Sequence, residues 1–176
     1  MTALDRLSPT VYLAINASPA TNVSAEFMHA IRGVDPAGIV LEIIEHAAIA
    51  DYAGLLGMLR DLRSRGLRLA VDDAGAGYSS FQHVLDLRPD LIKLDMSLMR
   101  NIHRDVARQA LTAAMVGFAR QTGSQIIAEG VETAAELAAL RALGIKRLQG
   151  WLLGRPMPLD DAVRLYSDAS TLRFAA

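Results

Sequence analysis

Asp72 and Asp73 stand side by side at the end of the apolar run Leu67 to Val71, and Gly75-Ala76-Gly77 follows. A buried strand ordinarily hands over to turn residues, so two like charges in that place carry a repulsive cost that a cation removes. A metal site on a loop is the sharper reading, and a solvated turn that caps the following helix is the plainer one. Polar side chains break other apolar runs in the same way. Glu42 interrupts Gly38 to Ile44, Lys93 and Asp95 interrupt Leu91 to Asp95, and Asn16, Glu129 and Gln149 fall at the ends of such runs. Asn16, Glu42, Asp72 and Asp73 offer oxygen ligands only, which suits Mg2+ or Mn2+ rather than zinc. With Glu129 as a base and Lys93 as a positive group, the chemistry is attack of water on a phosphoryl centre, where two metals stabilise both the entering and the leaving oxygen. Lys93 also has a structural alternative, an ion pair with Asp95 or Glu129.

Those residues need elements to hold them. Val11 to Ile15 reads as a first strand closed by Asn16-Ala17-Ser18-Pro19, and Ala25 to Arg32 as a short helix stopped at Gly33. Gly38 to Ile44 is a second strand. Asp51 to Arg65 carries Tyr52, Leu55, Leu56, Leu59 and Leu62 at helical spacing. The third strand, Leu67 to Val71, leads to the aspartate pair on its loop, and Ser80 to Leu87 makes a brief helix. Leu91 to Asp95 is the fourth strand, Asp105 to Gln121 a helix capped by Asp105, and Gln125 to Ala128 the fifth strand. Thr133-Ala134-Ala135-Glu136 has the spacing of a capping box for a helix that ends before Gly144. Arg147 to Leu153 contains a sixth strand, and Pro158 suits the first turn of a final helix.

Strands and helices that alternate with short connections imply a parallel sheet with right-handed crossovers. Polar residues from many strand ends that meet on one rim favour a barrel over an open doubly wound sheet. Six strands fall short of the eight strands and about 250 residues of a complete barrel.

With 176 residues and a hydrophobic fraction of 52%, the chain is long enough to bury one core, and nothing marks a linker or a second domain. A net charge of −1 and no dense basic run give no footprint for duplex nucleic acid or an anionic membrane surface, whereas a small phosphate ligand remains compatible. There is no cysteine, hence no disulfide, zinc thiolate site or cysteine nucleophile. No apolar stretch approaches a membrane span and no signal-peptide pattern opens the chain, so the cytoplasm is the expected compartment.

Leu41-Glu42-Ile43-Ile44-Glu45, Asp72-Asp73-Ala74-Gly75-Ala76-Gly77-Tyr78-Ser79-Ser80, Ile92-Lys93-Leu94-Asp95, Ala128-Glu129-Gly130-Val131-Glu132-Thr133 and Gln149-Gly150-Trp151-Leu152-Leu153-Gly154-Arg155-Pro156 together resemble the EAL domain. That family comprises bacterial cyclic di-GMP phosphodiesterases, which open the cyclic dinucleotide to linear pGpG. The resemblance runs in order from about Val11 to Pro158 and implies a TIM-like (β/α) barrel, incomplete here. It implies that Asn16, Glu42 and Asp72 are ligands of a first metal, and that Asp72 and Asp73 serve a second. Glu129 would activate the attacking water, and Lys93 would orient that water or screen phosphate charge. Gln149 and Asp95 would lie beside the site. Glu45 would hold the loop after Asp73, a loop that in the family contributes to dimerisation and activation, so a homodimer or a tether to other signalling domains is expected.

Two departures accompany the resemblance. Ala74 and Ala76 stand where the family pattern has Phe and Thr, which alters loop packing and leaves the carboxylates untouched. The Glu-Ala-Leu segment and the two N-terminal strands that should precede Val11 are absent, and with them one metal ligand and an arginine used on substrate phosphate. The expectation is therefore a fragment of a longer protein, or a natural truncation that pairs with another chain, with much reduced activity. A non-catalytic cyclic di-GMP receptor or protein-interaction module is the alternative.

Plainer roles suit several other residues. His29, His46, His83 and His103 lack close ligand spacing and read as solvated or helix-surface residues. Ser79 and Ser80 read as helix-start residues, Met58, Met96, Met99 and Met115 as core fillers, and Glu132 as support for a turn.

Overall fold

Alternate residues of a strand face opposite sides of its sheet, and the apolar runs of this chain use both sides. The computed structural model describes residues 11–17, 29, 34–43, 52–75 and 79–167. Among them, β1 (Leu13–Ala17), β2 (Ile39–Ile43), β3 (Arg68–Ala74), β4 (Leu91–Leu94), β5 (Gln125–Ala128) and β6 (Arg147–Leu148) form one parallel sheet in chain order. The order never reverses. A doubly wound sheet would reverse at a switch point, so this is the wall of an incomplete barrel.

The helices are α1 (Tyr52–Ser64), α2 (Ser79–Leu87), the single turn α3 (Met96–Met99), α4 (Val106–Thr122), α5 (Ala134–Ala142) and α6 (Leu159–Ser167). The main core lies between the sheet and helices α1, α2, α4 and α5. In α1, Leu55, Leu59 and Leu62 recur at helical spacing and are buried against Ile39, Leu41 and Ile43 of β2 and Leu69 and Val71 of β3 in the main core. Asp105 caps α4 by accepting from the Ala107 and Arg108 N–H groups. The capping box of Thr133 and Glu136 at the start of α5 forms as the spacing predicts.

The inner face has two layers. Val40, Ala70, Leu91 and Ile127 form a small apolar cluster with Tyr12 packed on it. Two residues further along each strand, on the same face, come Glu42, Asp72, Lys93 and Glu129. The apolar layer closes the floor, and the charged layer faces the C-terminal rim.

Several expectations shift. The first strand begins at Leu13 and ends at Ala17, so Asn16 lies within it, opposite Glu42. The third strand does not stop before the aspartates. It runs through Ala74, with an irregular register between Val71 and Ala74. Asp73 takes a left-handed φ of 55°, which breaks strict alternation and keeps both carboxylates near the rim. The sixth strand is only Arg147–Leu148, because the chain turns over Gly150 instead of continuing to Leu153. His83 is buried on α2 and bonds the Tyr52 hydroxyl at 2.6 Å, not solvent. Met99 and Met115 are core residues as expected, whereas Met96 is exposed at 44%. Glu45, Ala76, His46 and, apart from His29, the helix expected over Ala25 to Arg32 lie outside the described residues. No helix among the described residues is long and apolar enough to cross a membrane.

Candidate metal and phosphate site

Lys93 is the centre of the charged layer. Its Nζ lies 2.8 Å from Glu42 Oε2, 2.8 Å from Asp72 Oδ1 and 2.9 Å from Glu129 Oε1, with its side chain 6% exposed. Three strands deliver these partners, and the stagger of a barrel wall brings them level with β4. Burial alone would lower the Lys93 ammonium. The hydrogen bonds to Asp72, Glu42 and Glu129 outweigh it and hold the group above the ordinary lysine value. The pairing of Lys93 with Asp95 that strand alternation allows does not occur; Asp95 caps α3 by accepting from the Ser97 N–H at 2.9 Å. The alternative pairing with Glu129 does form.

One ammonium touching three carboxylates leaves an excess of two negative charges when all are ionised. The strain falls on Glu129. Burial pushes its carboxyl up to about 7, Lys93 opposes the rise, and Asp72 and Asp73 add to it. Carboxylate oxygens of Asp72, Asp73 and Glu129 lie within 4.8 Å of one another. The Asp73 N–H donates to Asp72 Oδ1 at 3.0 Å and fixes that side chain. This is an all-oxygen donor set with surplus negative charge, and it fits a hard divalent cation. Glu42 is joined to the group through Lys93, and exposed Asn16 is its neighbour across β1 and β2.

An open cleft of about 920 Å³ adjoins these carboxylates. Asp73, Asp95, Glu129 and Gln149 line it together with Arg100, Glu132, Trp151 and Arg155. The Arg155 guanidinium stacks 4.8 Å from the Trp151 ring centre, and Arg100 pairs with both Glu132 oxygens at 3.2 Å. Sequence reasoning assigned no role to Arg100, Trp151 or Arg155, although the last two lie in a motif it singled out.

Two glycines shape the cleft and were also missed. A Cβ on Gly150 would fall inside the Val131 backbone, and one on Gly130, at φ 65°, would overlap the Met96 side chain. The close approach at Gly150 lets the Val131 N–H reach the Gln149 carbonyl at 3.0 Å and the Leu152 N–H reach the Val131 carbonyl at 3.1 Å. Gly150 itself, inside the Gln149 to Pro156 motif, was the available signal, and its meaning depends on Val131, nineteen residues upstream.

A family model described as the EAL domain matches residues 1–156. The chain is 35% identical over 161 residues to a cyclic di-GMP phosphodiesterase of Pseudomonas aeruginosa, covering 86% of this chain and 27% of that protein. It is 32% identical over 128 residues to the probable cyclic di-GMP phosphodiesterase PdeA of Escherichia coli, covering 73% of this chain and 18% of that one. The chain thus spans well under a third of the length of these curated relatives. Among solved structures, BlrP1 of Klebsiella pneumoniae in complex with manganese and cyclic di-GMP matches at 34% identity and a TM-score of 0.74, over 82% of this chain and 39% of that one. The EAL domain of Mycobacterium smegmatis DcpA matches at 28% identity and a TM-score of 0.84, over 93% of this chain and 76% of that one.

Proposed function

The chain belongs to the EAL domain family, and from that premise we propose that it is a phosphodiesterase module whose substrate is cyclic di-GMP. The observation that carries the reading is the buried Lys93 ringed by Glu42, Asp72 and Glu129, with Asp73 alongside at the mouth of a cleft. Asp72 and Asp73, with Asn16, Glu42 and Glu129 nearby, would hold Mg2+ or Mn2+. Such an ion supplies charge stabilisation at the phosphoryl oxygens and at the entering and leaving oxygens.

The protein's own groups do the rest. Glu129 takes a proton from the attacking water, whose oxygen forms the new bond to phosphorus. The bond from phosphorus to the 3′-oxygen breaks, that oxygen takes up a proton from solvent, and linear pGpG results. Lys93 holds Glu129 and Asp72 in place and screens the phosphate charge. Arg100 and Arg155 in the cleft suit the phosphates, and the exposed face of Trp151 suits a guanine base.

The 176 residues contain no Glu-Ala-Leu triplet, and the turnover proposed for this chain is accordingly slow. The module belongs in the cytoplasm, as a homodimer or tethered to other signalling domains. Incubation of the purified chain with cyclic di-GMP and Mn2+, followed by chromatography of the nucleotide, tests the reading. Slow formation of pGpG that Asp72→Asn abolishes supports it. Nucleotide bound but never cleaved would assign a receptor instead, and neither binding nor cleavage would remove both.

A further inference from the structure

Glu136 is buried at 4% exposure, outside the charged layer, on the first turn of α5. A capping box needs its carboxylate only for the backbone beside the cap, and here Oε2 accepts from the Thr133 N–H at 3.0 Å and from the Glu132 N–H at 3.1 Å. The other oxygen does something a helix cap does not require. Oε1 accepts from the Asn101 N–H at 2.9 Å, across to the turn after β4 and α3.

Asn101 holds a left-handed φ of 57° and leads into the 3-10 turn Ile102–Arg104. The segment before Asn101 carries Lys93, Asp95 and Arg100, and the segment before Glu132 carries Glu129 and Gly130. Gly130 leaves no space for a Cβ against Met96, so the two rim segments already touch. Arg100 and Glu132 pair on the outside of the same junction, but at 55% and 37% side-chain exposure that pair is weak. Glu136 is the desolvated tie, and a carboxylate that accepts several backbone N–H groups is rigidly placed.

We propose that Glu136 is a positioning residue, which locks the Glu129 segment against the Lys93–Arg100 segment and so fixes the separation of the base from the lysine and the aspartate pair. Burial raises the Glu136 carboxyl, and its four hydrogen bonds more than reverse this, which is the expected state of a permanently ionised tie. The inference rests on the site described under the proposed function, although the tie itself is defined without metal or nucleotide.

Thr133→Ala supplies the control, since it removes the Glu136 N–H bond to Thr133 Oγ1 and the hydroxyl's own contact with the carboxylate, and leaves all three backbone donors, Asn101 among them. In Glu136→Gln one of the two oxygens becomes an N–H2 group facing backbone donors. Hydrogen exchange by NMR on the metal-free proteins, together with Mn2+ affinity followed by paramagnetic relaxation, separates the roles. Glu136→Gln is expected to speed exchange at Asn101 and Glu132 and to weaken Mn2+ binding by about tenfold, because a displaced supporting group misplaces its ligand. Thr133→Ala is expected to leave both unchanged while lowering Tm. Glu136→Asp, which keeps the charge, is the second variant if Gln prevents folding, and it is expected to give the same pattern more weakly. Equal exchange and equal Mn2+ affinity in the Glu136 and Thr133 variants would overturn the proposal. A wild-type protein that binds no Mn2+ would remove the proposed function, and the exchange at Asn101 would still decide whether the tie exists.

Discussion

Glu129 and Glu136 lie seven positions apart, on either side of one turn, and both are withdrawn from water. Their environments drive them in opposite directions. Glu129 shares one ammonium with Glu42 and Asp72 and has Asp73 beside it, so its carboxyl is pushed up to about 7. Glu136 has no competing carboxylate among its partners; three backbone N–H groups and the Thr133 hydroxyl surround it, and its carboxyl is held below the usual range. A buried carboxylate that is fully satisfied by backbone donors is architecture. One that is crowded with others around too little positive charge has the chemistry that suits a cation.

The harshest way to break this contrast is to remove the lysine. Lys93→Met leaves Glu42, Asp72 and Glu129 buried without their shared partner, and should destabilise the metal-free protein by about 3–5 kcal/mol in urea titration. Saturating Mn2+ should recover part of the loss, since the ion replaces the missing charge. No recovery would mean that the cluster is structural.

Gly150→Ala attacks the junction from the β6 side. The new methyl group must displace the Val131 backbone, at a cost of about 3 kcal/mol by chemical denaturation. An unchanged stability would show that the Gln149 and Val131 segments separate easily.

The pH dependence of stability sharpens the contrast further. Glu129 has a folded value raised above its unfolded one, so its contribution is fully present below about 4.5 and is lost as pH rises through about 7. In Glu129→Gln that decline in Tm between those limits should disappear in metal-free protein. Glu136 has a lowered folded value, so its contribution is present above the unfolded value near 4.5 and is lost as pH falls through the folded one. Glu136→Gln should therefore lower stability at neutral pH by about 2 kcal/mol and flatten the acid limb instead. The smallest effect belongs to Arg100→Ala, which loses a solvent-exposed pair worth below about 1 kcal/mol in thermal denaturation.

Much of this was legible in the residues. Glu42 and Lys93 stood out because a charge in an apolar strand needs a partner, and the Thr133 to Glu136 spacing announced its helix. The alternation of strands and helices pointed to the barrel wall. Local sequence could not say which charges meet, because that depends on the stagger between parallel strands; hence Lys93 finds Glu42, Asp72 and Glu129 and leaves Asp95 to cap a turn. Nor could it place Asp73 inside β3, since a left-handed residue within a strand carries no compositional mark when it is not glycine. The second partner of Glu136, the Asn101 N–H, lies 35 residues away and was equally hidden.

The central claim is that the charged layer is a cation site, and calorimetric titration of the metal-free chain with Mn2+ at pH 6.5, repeated in buffers of different ionisation enthalpy, tests it most directly. With the Glu129 carboxyl pushed up to about 7, binding should release protons, up to about one per chain, and Asp72→Asn should abolish the heat. Absence of binding, or binding that Asp72→Asn leaves intact, would contradict the account.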